Sequence, residues 1–90
     1  MLFTSIIIPT YNRSDVILRS LETWTKQTIA VSDFEVIVVD NNSTDNSASL
    51  IKSFIVDYPN FHYLLETKAG STNARHAGAK IAKGEILIFS

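Results

Sequence analysis

The sequence has no cysteine, two prolines and three glycines, and each shortage closes off a class of function. Without cysteine there is no disulfide and no thiolate metal site, and nothing points to an oxidising compartment. The glycines stand apart at 70, 78 and 84. They cannot build the glycine-rich turn that lets backbone approach a pyrophosphate, so a dinucleotide fingerprint and a Walker loop are both missing, which argues against nicotinamide, flavin and P-loop chemistry. Excess charge is missing too. Eight basic residues against nine acidic ones leave a net charge of −1, without the basic surplus of most nucleic-acid or anionic-membrane binders, and no nucleic-acid partner is expected. No apolar run approaches membrane-spanning length. The first residues, Met1-Leu2-Phe3-Thr4-Ser5, lack the basic start of a signal peptide. A soluble, cytoplasmic chain is expected, at the cytoplasmic membrane face if a longer parent carries segments absent here.

What is present is globular in type, with 46% hydrophobic and 19% charged residues. Ninety residues allow one small domain, 1–90, which buries roughly 60% of the surface of its unfolded chain. Its centre is Glu35-Val36-Ile37-Val38-Val39-Asp40-Asn41-Asn42-Ser43-Thr44-Asp45, an apolar run that ends abruptly in carboxylates, amides and hydroxyls. Such a run reads as a strand buried on both faces, and strands of that kind belong to parallel sheets covered by helices.

The rest of the chain alternates around it. Leu2 to Ile8 reads as a first strand stopped by Pro9. A helix over 13–27 follows, with Asn12 as its cap and Ile17, Leu18, Leu21 and Trp24 at helical spacing. The second strand covers 34–39. A second helix over 44–57 carries Ala48, Ile51, Phe54 and Ile55 on one face and ends before Pro59. Phe61 to Leu65 is a third strand. A third helix over 69–83 has a stripe of Ala74, Ala77, Gly78, Ile81 and Ala82, small enough to lie close on a sheet, with Gly84 as its terminating signal. The fourth strand is 85–89. This alternation predicts a three-layer α/β/α fold with a mainly parallel sheet in the order 3-2-1-4 and right-handed crossovers. The chain stops one residue after the fourth strand, where this architecture mounts its chemistry, and so reads as the front part of something longer.

Ligands of parallel sheets bind outside the carboxyl ends of the strands, which places Asp40 at a candidate site. The plainer alternative is that Asp40 to Asp45 caps the next helix, but a cap needs one such residue and six stand in a row. The loop Pro9-Thr10-Tyr11-Asn12 offers a rigid ring, a hydroxyl, an aromatic face and an amide. Tyr11 suits stacking on a base and equally suits covering the sheet edge. Gly70-Ser71-Thr72, at a helix start, can receive an anion through free N–H groups. Arg75, one turn further, could reach a base carbonyl, a phosphate or Asp40, although most single arginines are solvated. His62, between two aromatics in a strand, reads as structural, and His76 has no partner ligands for a metal. No nucleophile elbow supports a Ser-His-Asp triad.

Four stretches together resemble the nucleotide-binding half of the GT-A glycosyltransferases, specifically the inverting family-2 group. They are Ser5 to Asn12, Val38 to Asp45, Gly70 with Ala74-Arg75 and Gly78, and Lys83 to Leu87, and they cover the chain nearly end to end. The resemblance implies a Rossmann-like half of a GT-A fold that holds a nucleotide-diphosphate sugar, with uridine diphosphate the commonest carrier. The base and ribose would fall to Pro9, Thr10, Tyr11 and Asp40, with Asn42 beside them and Arg75 also on the nucleotide. Two positions depart from the family pattern: His76 replaces the usual asparagine, and Asn41-Asn42 replaces the commoner Asp-Gly. The family's divalent metal, Mg or Mn, is bound by an acidic motif after the fourth strand, and its catalytic base comes much later, so neither metal ligands nor catalytic residues are expected among these 90. The resemblance further implies inversion at the anomeric carbon, polysaccharide biosynthesis and an unidentified acceptor. The competing reading is a small non-catalytic module binding a nucleotide or protein, prone to dimerise through an exposed sheet or helix surface.

Overall fold

The computed structural model describes residues 3–90. Its elements are β1 (Thr4–Thr10), α1 (Ile17–Thr25), β2 (Phe34–Asp40), α2 (Ser47–Ile55), β3 (Phe61–Leu65), α3 (Ser71–Ile81) and β4 (Ile86–Phe89), with a 3-10 turn at Val31–Asp33 leading into β2. The strands form one sheet in the order β3-β2-β1-β4, and every neighbouring pair is parallel. Fold class and strand order are those the alternation predicts. Of the expected first strand, Leu2 lies outside the described residues.

Alternation along β1 and β2 divides the interior in two. Ile6, Ile8, Phe34, Val36 and Val38 face α1 and α2, where Ile17, Leu21, Ile51 and the β3 residue Phe61 complete one core. Ile7, Ile37 and Val39 face α3 and meet Ala74. Both faces of β2 are thus covered, which is why its sequence is apolar without interruption. The small-residue stripe of α3 acts as expected: a Cβ on Gly78 would stand 2.6 Å from Ile7 Cγ2 and 3.1 Å from Val39 Cγ2. Only a glycine lets the helix come this close.

Several local expectations are corrected. Pro9 lies inside β1 and does not stop it, because its register with β2 continues through Thr10↔Asp40 while the register with β4 ends at Ile7↔Phe89. The carbonyl of Ile7 accepts from Ser90 and that of Thr10 from Asn41, so the missing N–H of Pro9 faces the β4 side, where the ladder is ending. Helix α1 starts at Ile17 with Val16 at its cap and no side-chain cap bond. Asn12, expected as that cap, instead reaches across to the loop after β2. Helix α2 begins at Ser47 rather than 44, because Ser43 to Asp45 are occupied in that same contact. Gly84 does not close α3 in a left-handed turn. Ala82 is the cap, and Gly84, whose N–H donates to Ser5 Oγ at 2.8 Å, is needed because a Cβ there would stand 2.5 Å from the Ser5 backbone nitrogen.

Candidate functional site

The loops after β1 and β2 leave the carboxyl ends of adjacent strands and are tied together by a polar lattice. Asn12 Oδ1 accepts from the N–H groups of Thr44 (2.7 Å) and Asp45 (3.2 Å), and Ser43 Oγ accepts from the N–H of Asn12 at 2.9 Å. Asp45 accepts the N–H of Ser14 at 3.2 Å and of Ser47 at 2.9 Å. Hydrogen bonding by Ser47 first and then by Ser14 holds the Asp45 carboxyl down at about 2. Of the two Ser47 groups, the backbone N–H makes the well-formed bond, since the hydroxyl has none of good geometry. Asn12 (φ 50°) and Asn42 (φ 63°) are both left-handed, a conformation that asparagine tolerates better than most residues.

Asp40 sits beneath this lattice. It is 1% exposed. Its Oδ1 accepts from Ser43 N–H at 2.9 Å and its Oδ2 from the Tyr63 hydroxyl at 2.7 Å. Burial and the neighbouring Asp40 carboxylate push the Tyr63 phenol up to about 12, and Lys52 Nζ stands 4.8 Å from the Tyr63 ring centre. The role suggested for Arg75 as a partner of Asp40 is therefore taken by Tyr63. The physical reason is the period of two along β2: Asp40 continues the side of Val36 and Val38, whereas Asn41 continues the side of Ile37 and Val39.

Asn41, which faces α3, organises the other wall. Its Nδ2 donates to the carbonyls of Glu66 (2.9 Å) and Lys68 (2.8 Å), its Oδ1 accepts the N–H of Gly70 (2.9 Å), and its own N–H donates to Thr10 O (2.8 Å). One amide thus shapes the loop from β3 into α3. Gly70, at φ +117°, holds a conformation that side chains resist. Between the walls lies a cavity of about 580 Å³ bounded by Pro9, Thr10 and Tyr11, by Asn41, Asn42 and Thr44, and by Thr67, Ala69, Gly70, Ser71 and Ala74. That volume suits a small-molecule ligand. Tyr11 is 55% exposed at its edge, and the buried Thr10 hydroxyl has no hydrogen-bond partner among the described residues.

Of the six expected nucleotide contacts, Pro9, Thr10, Tyr11 and Asn42 line this cavity. Asp40 supports it from below and does not line it. Arg75 follows the lining residue Ala74 on α3 but is itself exposed and outside the wall. Sequence reasoning missed Asn41 and Tyr63. Extending the alternation of β2 by one residue would have found the first; the only signal for the second was a hydroxyl-bearing aromatic in the middle of the short strand Phe61–Leu65. Among the described residues no three His, Asp or Glu stand close enough to hold a metal, and the cavity wall contains no carboxylate.

Comparison with known proteins places these features in a family. The model of glycosyl transferase family 2 matches residues 5–90. The chain is 40% identical over 88 residues to glycosyltransferase AglE of Haloferax volcanii, covering 97% of this chain and 29% of that protein. It is 38% identical over 87 residues to a validoxylamine A glucosyltransferase of Streptomyces hygroscopicus, covering 94% and 20%. The S. aureus TarS structure (residues 1–349) in complex with UDP superposes with a TM-score of 0.90 at 30% identity, over 99% of this chain and 27% of that one. The mannosyltransferase PcManGT from Pyrobaculum calidifontis, in complex with GDP-Man and Mn2+, gives 0.89 at 29% identity, over 96% and 26%. This chain therefore spans less than a third of the length of the relatives it matches.

Proposed function

Since the chain belongs to glycosyl transferase family 2, we propose that it is the nucleotide-sugar-binding part of a GT-A glycosyltransferase and that the cavity beyond β1 and β2 receives a nucleotide-diphosphate donor. The observation that carries this reading is the half-exposed ring of Tyr11 at a cavity walled by Pro9, Thr10 and Asn42. The ring offers a free face on which a base can stack, and the unpartnered Thr10 hydroxyl is a buried polar group that gains from a ligand partner. Neighbouring structures support the ligand class, since TarS was solved with UDP and with UDP-GlcNAc, and PcManGT with GDP-Man. Uridine diphosphate is the proposed carrier.

The reaction proposed for the whole enzyme is transfer of the sugar to an acceptor hydroxyl with inversion. The present residues bind and orient the nucleotide. A divalent ion, Mg or Mn, would offset charge on the departing diphosphate, with ligands supplied from outside these 90 residues, as would be the base that takes the acceptor proton. The purified chain should accordingly bind nucleotide without transferring sugar.

Calorimetric titration with UDP tests the reading. Stacking of a base on an aromatic ring is worth about 1–3 kcal/mol, so Tyr11→Ala should weaken UDP binding at least about fivefold. Because Tyr11 is largely outside the core, its melting temperature should hardly move. Equal affinity of parent and variant would remove Tyr11 from the site, and absence of UDP binding to the parent would remove the site itself.

A further inference from the structure

The net charge of −1 conceals a segregation. Between residues 67 and 84 the chain carries Lys68, Arg75, Lys80 and Lys83 and no acid at all, while the remaining 72 residues hold four cations and all nine acids. Two of the four, Lys68 and Lys80, share one groove, and Arg75 lies on the other flank of α3. All are exposed, at or on α3, whose inward side is already spent on Ile7, Ile37 and Val39. Beside α3 runs a groove along the edge strand β3, of about 380 Å³, lined on its apolar side by Leu64, Leu65, Ala77 and Ile81 and on its polar side by Lys68, Lys80, His76, Asn73 and Glu66. Leu65 and Ile81 are 49% and 47% exposed there. The carboxylate of Glu66, the acid in the groove, accepts the backbone N–H of Lys68 at 3.1 Å.

We propose that the outer face of α3, with the groove beside it, docks on an anionic lipid surface. Lysine heads around exposed aliphatic side chains suit a bilayer interface: the ammonium groups reach the lipid phosphates while the stems and the Leu65 and Ile81 side chains enter the headgroup boundary. Apart from Glu66 in the groove, the rest of the molecule carries four cations and eight acids, net −4, is repelled by the same surface and so turns away from it, which sets one orientation. A nucleic acid fits less well. Residues 64–85 contain no Phe, Tyr or Trp on which bases could stack, and the aromatic cluster of Phe54, Tyr58 and Phe61 belongs to the opposite face of the sheet. The inference is independent of the nucleotide reading, since Lys68, Arg75, Lys80 and Lys83 do not line that cavity.

Co-sedimentation with vesicles decides it. Each basic side chain near an anionic bilayer contributes about fivefold in partitioning. The chain should therefore sediment at low salt with phosphatidylcholine vesicles containing phosphatidylglycerol at least about tenfold better than with phosphatidylcholine alone, and raised salt should release it. The triple variant Lys68→Gln, Lys80→Gln, Lys83→Gln should lose about a hundredfold, while Arg19→Gln with Lys26→Gln, on α1 and just after it, should bind as the parent does. Three outcomes overturn the proposal. One is equal sedimentation with neutral vesicles, which would point to the apolar strand β4, each of whose residues is 40–48% exposed. Another is undiminished binding by the triple variant. The last is binding of poly-uridylate as tight as that of anionic vesicles, which would reassign the surface to nucleic acid.

Discussion

Replacing Asn41 by aspartate changes one NH2 group into an oxygen and should damage the site more than truncation to alanine. The Asn41 amide is 8% exposed and makes three hydrogen bonds to the loop between β3 and α3, at 2.8–2.9 Å. Each is worth about 1 kcal/mol net. Alanine forfeits them but leaves space for water, so its cost is about 1–3 kcal/mol. Aspartate keeps the acceptor for Gly70 N–H and sets its second oxygen against the carbonyls of Glu66 and Lys68, two acceptors with no proton between them. The cost rises to about 2–4 kcal/mol, which for a domain of this size lowers the melting temperature by about 10–25 °C. The sign of the pH dependence separates this from general damage. The introduced carboxyl would have a folded-state pKa above its unfolded value, because only the protonated form can donate to a carbonyl. The variant's deficit should therefore be smallest below about pH 4, the unfolded range, and should grow as pH rises through the raised folded-state value. Thermal melts followed by circular dichroism at neutral and acid pH, with hydrogen exchange of the Gly70 amide, provide the assay. If Asn41→Asp melts within about 2 °C of the parent at neutral pH and Gly70 exchanges no faster, the amide does not hold the loop.

Three further outcomes are expected. Gly84→Ala should cost about 1–3 kcal/mol in urea unfolding, because the new Cβ meets the Ser5 backbone nitrogen at 2.5 Å and backbone cannot swing aside; an unchanged midpoint would show that the α3–β4 connection shifts freely. Glu35→Ala should cost about 2–4 kcal/mol, since the buried carboxylate accepts from the Ser5 hydroxyl at 2.6 Å and from Lys83 N–H at 2.8 Å, with His62 Nε2 at 3.4 Å; a loss below about 0.5 kcal/mol would mean that water replaces it. Of the tyrosines, Tyr63 should ionise late, near pH 12. Its pKa is raised in the folded state, so its contribution is complete below pH 10 and is lost as pH climbs from 10 to 12; Tyr63→Phe should abolish the late step in a tyrosinate absorbance titration, and a parent titrating fully near pH 10 would refute the Asp40 contact.

The fold was legible in the sequence because its signals are periodic. Four apolar runs separated by three helical faces allow few arrangements once crossovers are right-handed, and the unbroken Val36 to Val39 requires cover on both sides. The expectations that failed are aperiodic. Whether Asn12 caps a helix or bridges to Thr44 depends on a loop that arrives 32 residues later in the chain, and no local pattern encodes that meeting. Gly84 carries the same signal whether it closes a helix or lets Ser5 approach. Asp40 is an intermediate case. Its position at the end of β2 was readable and so was the parity that turns it away from α3, yet a carboxylate at a strand end carries the same signal whether it meets a ligand or, as here, a tyrosine from the neighbouring strand. The charged face of α3 was hidden by an average: net charge is a sum over the whole surface, and segregation is visible only once the elements are placed.

The geometry also accounts for why these residues need such a lattice. A nucleotide that must order two loops on binding loses affinity to the entropy of that ordering. Here Asn12 ties the loop after β1 to the one after β2, Asp40 ties the latter to Tyr63 on β3, and Asn41 ties β2 to the start of α3. Tyr11 and Asn42, both exposed, are consequently held by bonds that their chain neighbours Asn12, Asn41 and Ser43 make, before any ligand arrives. It follows that substitutions at Asp40 and Asn41 should change both stability and binding, whereas substitutions at Tyr11 should change binding alone, and the difference between those two patterns measures how far the site is built in advance.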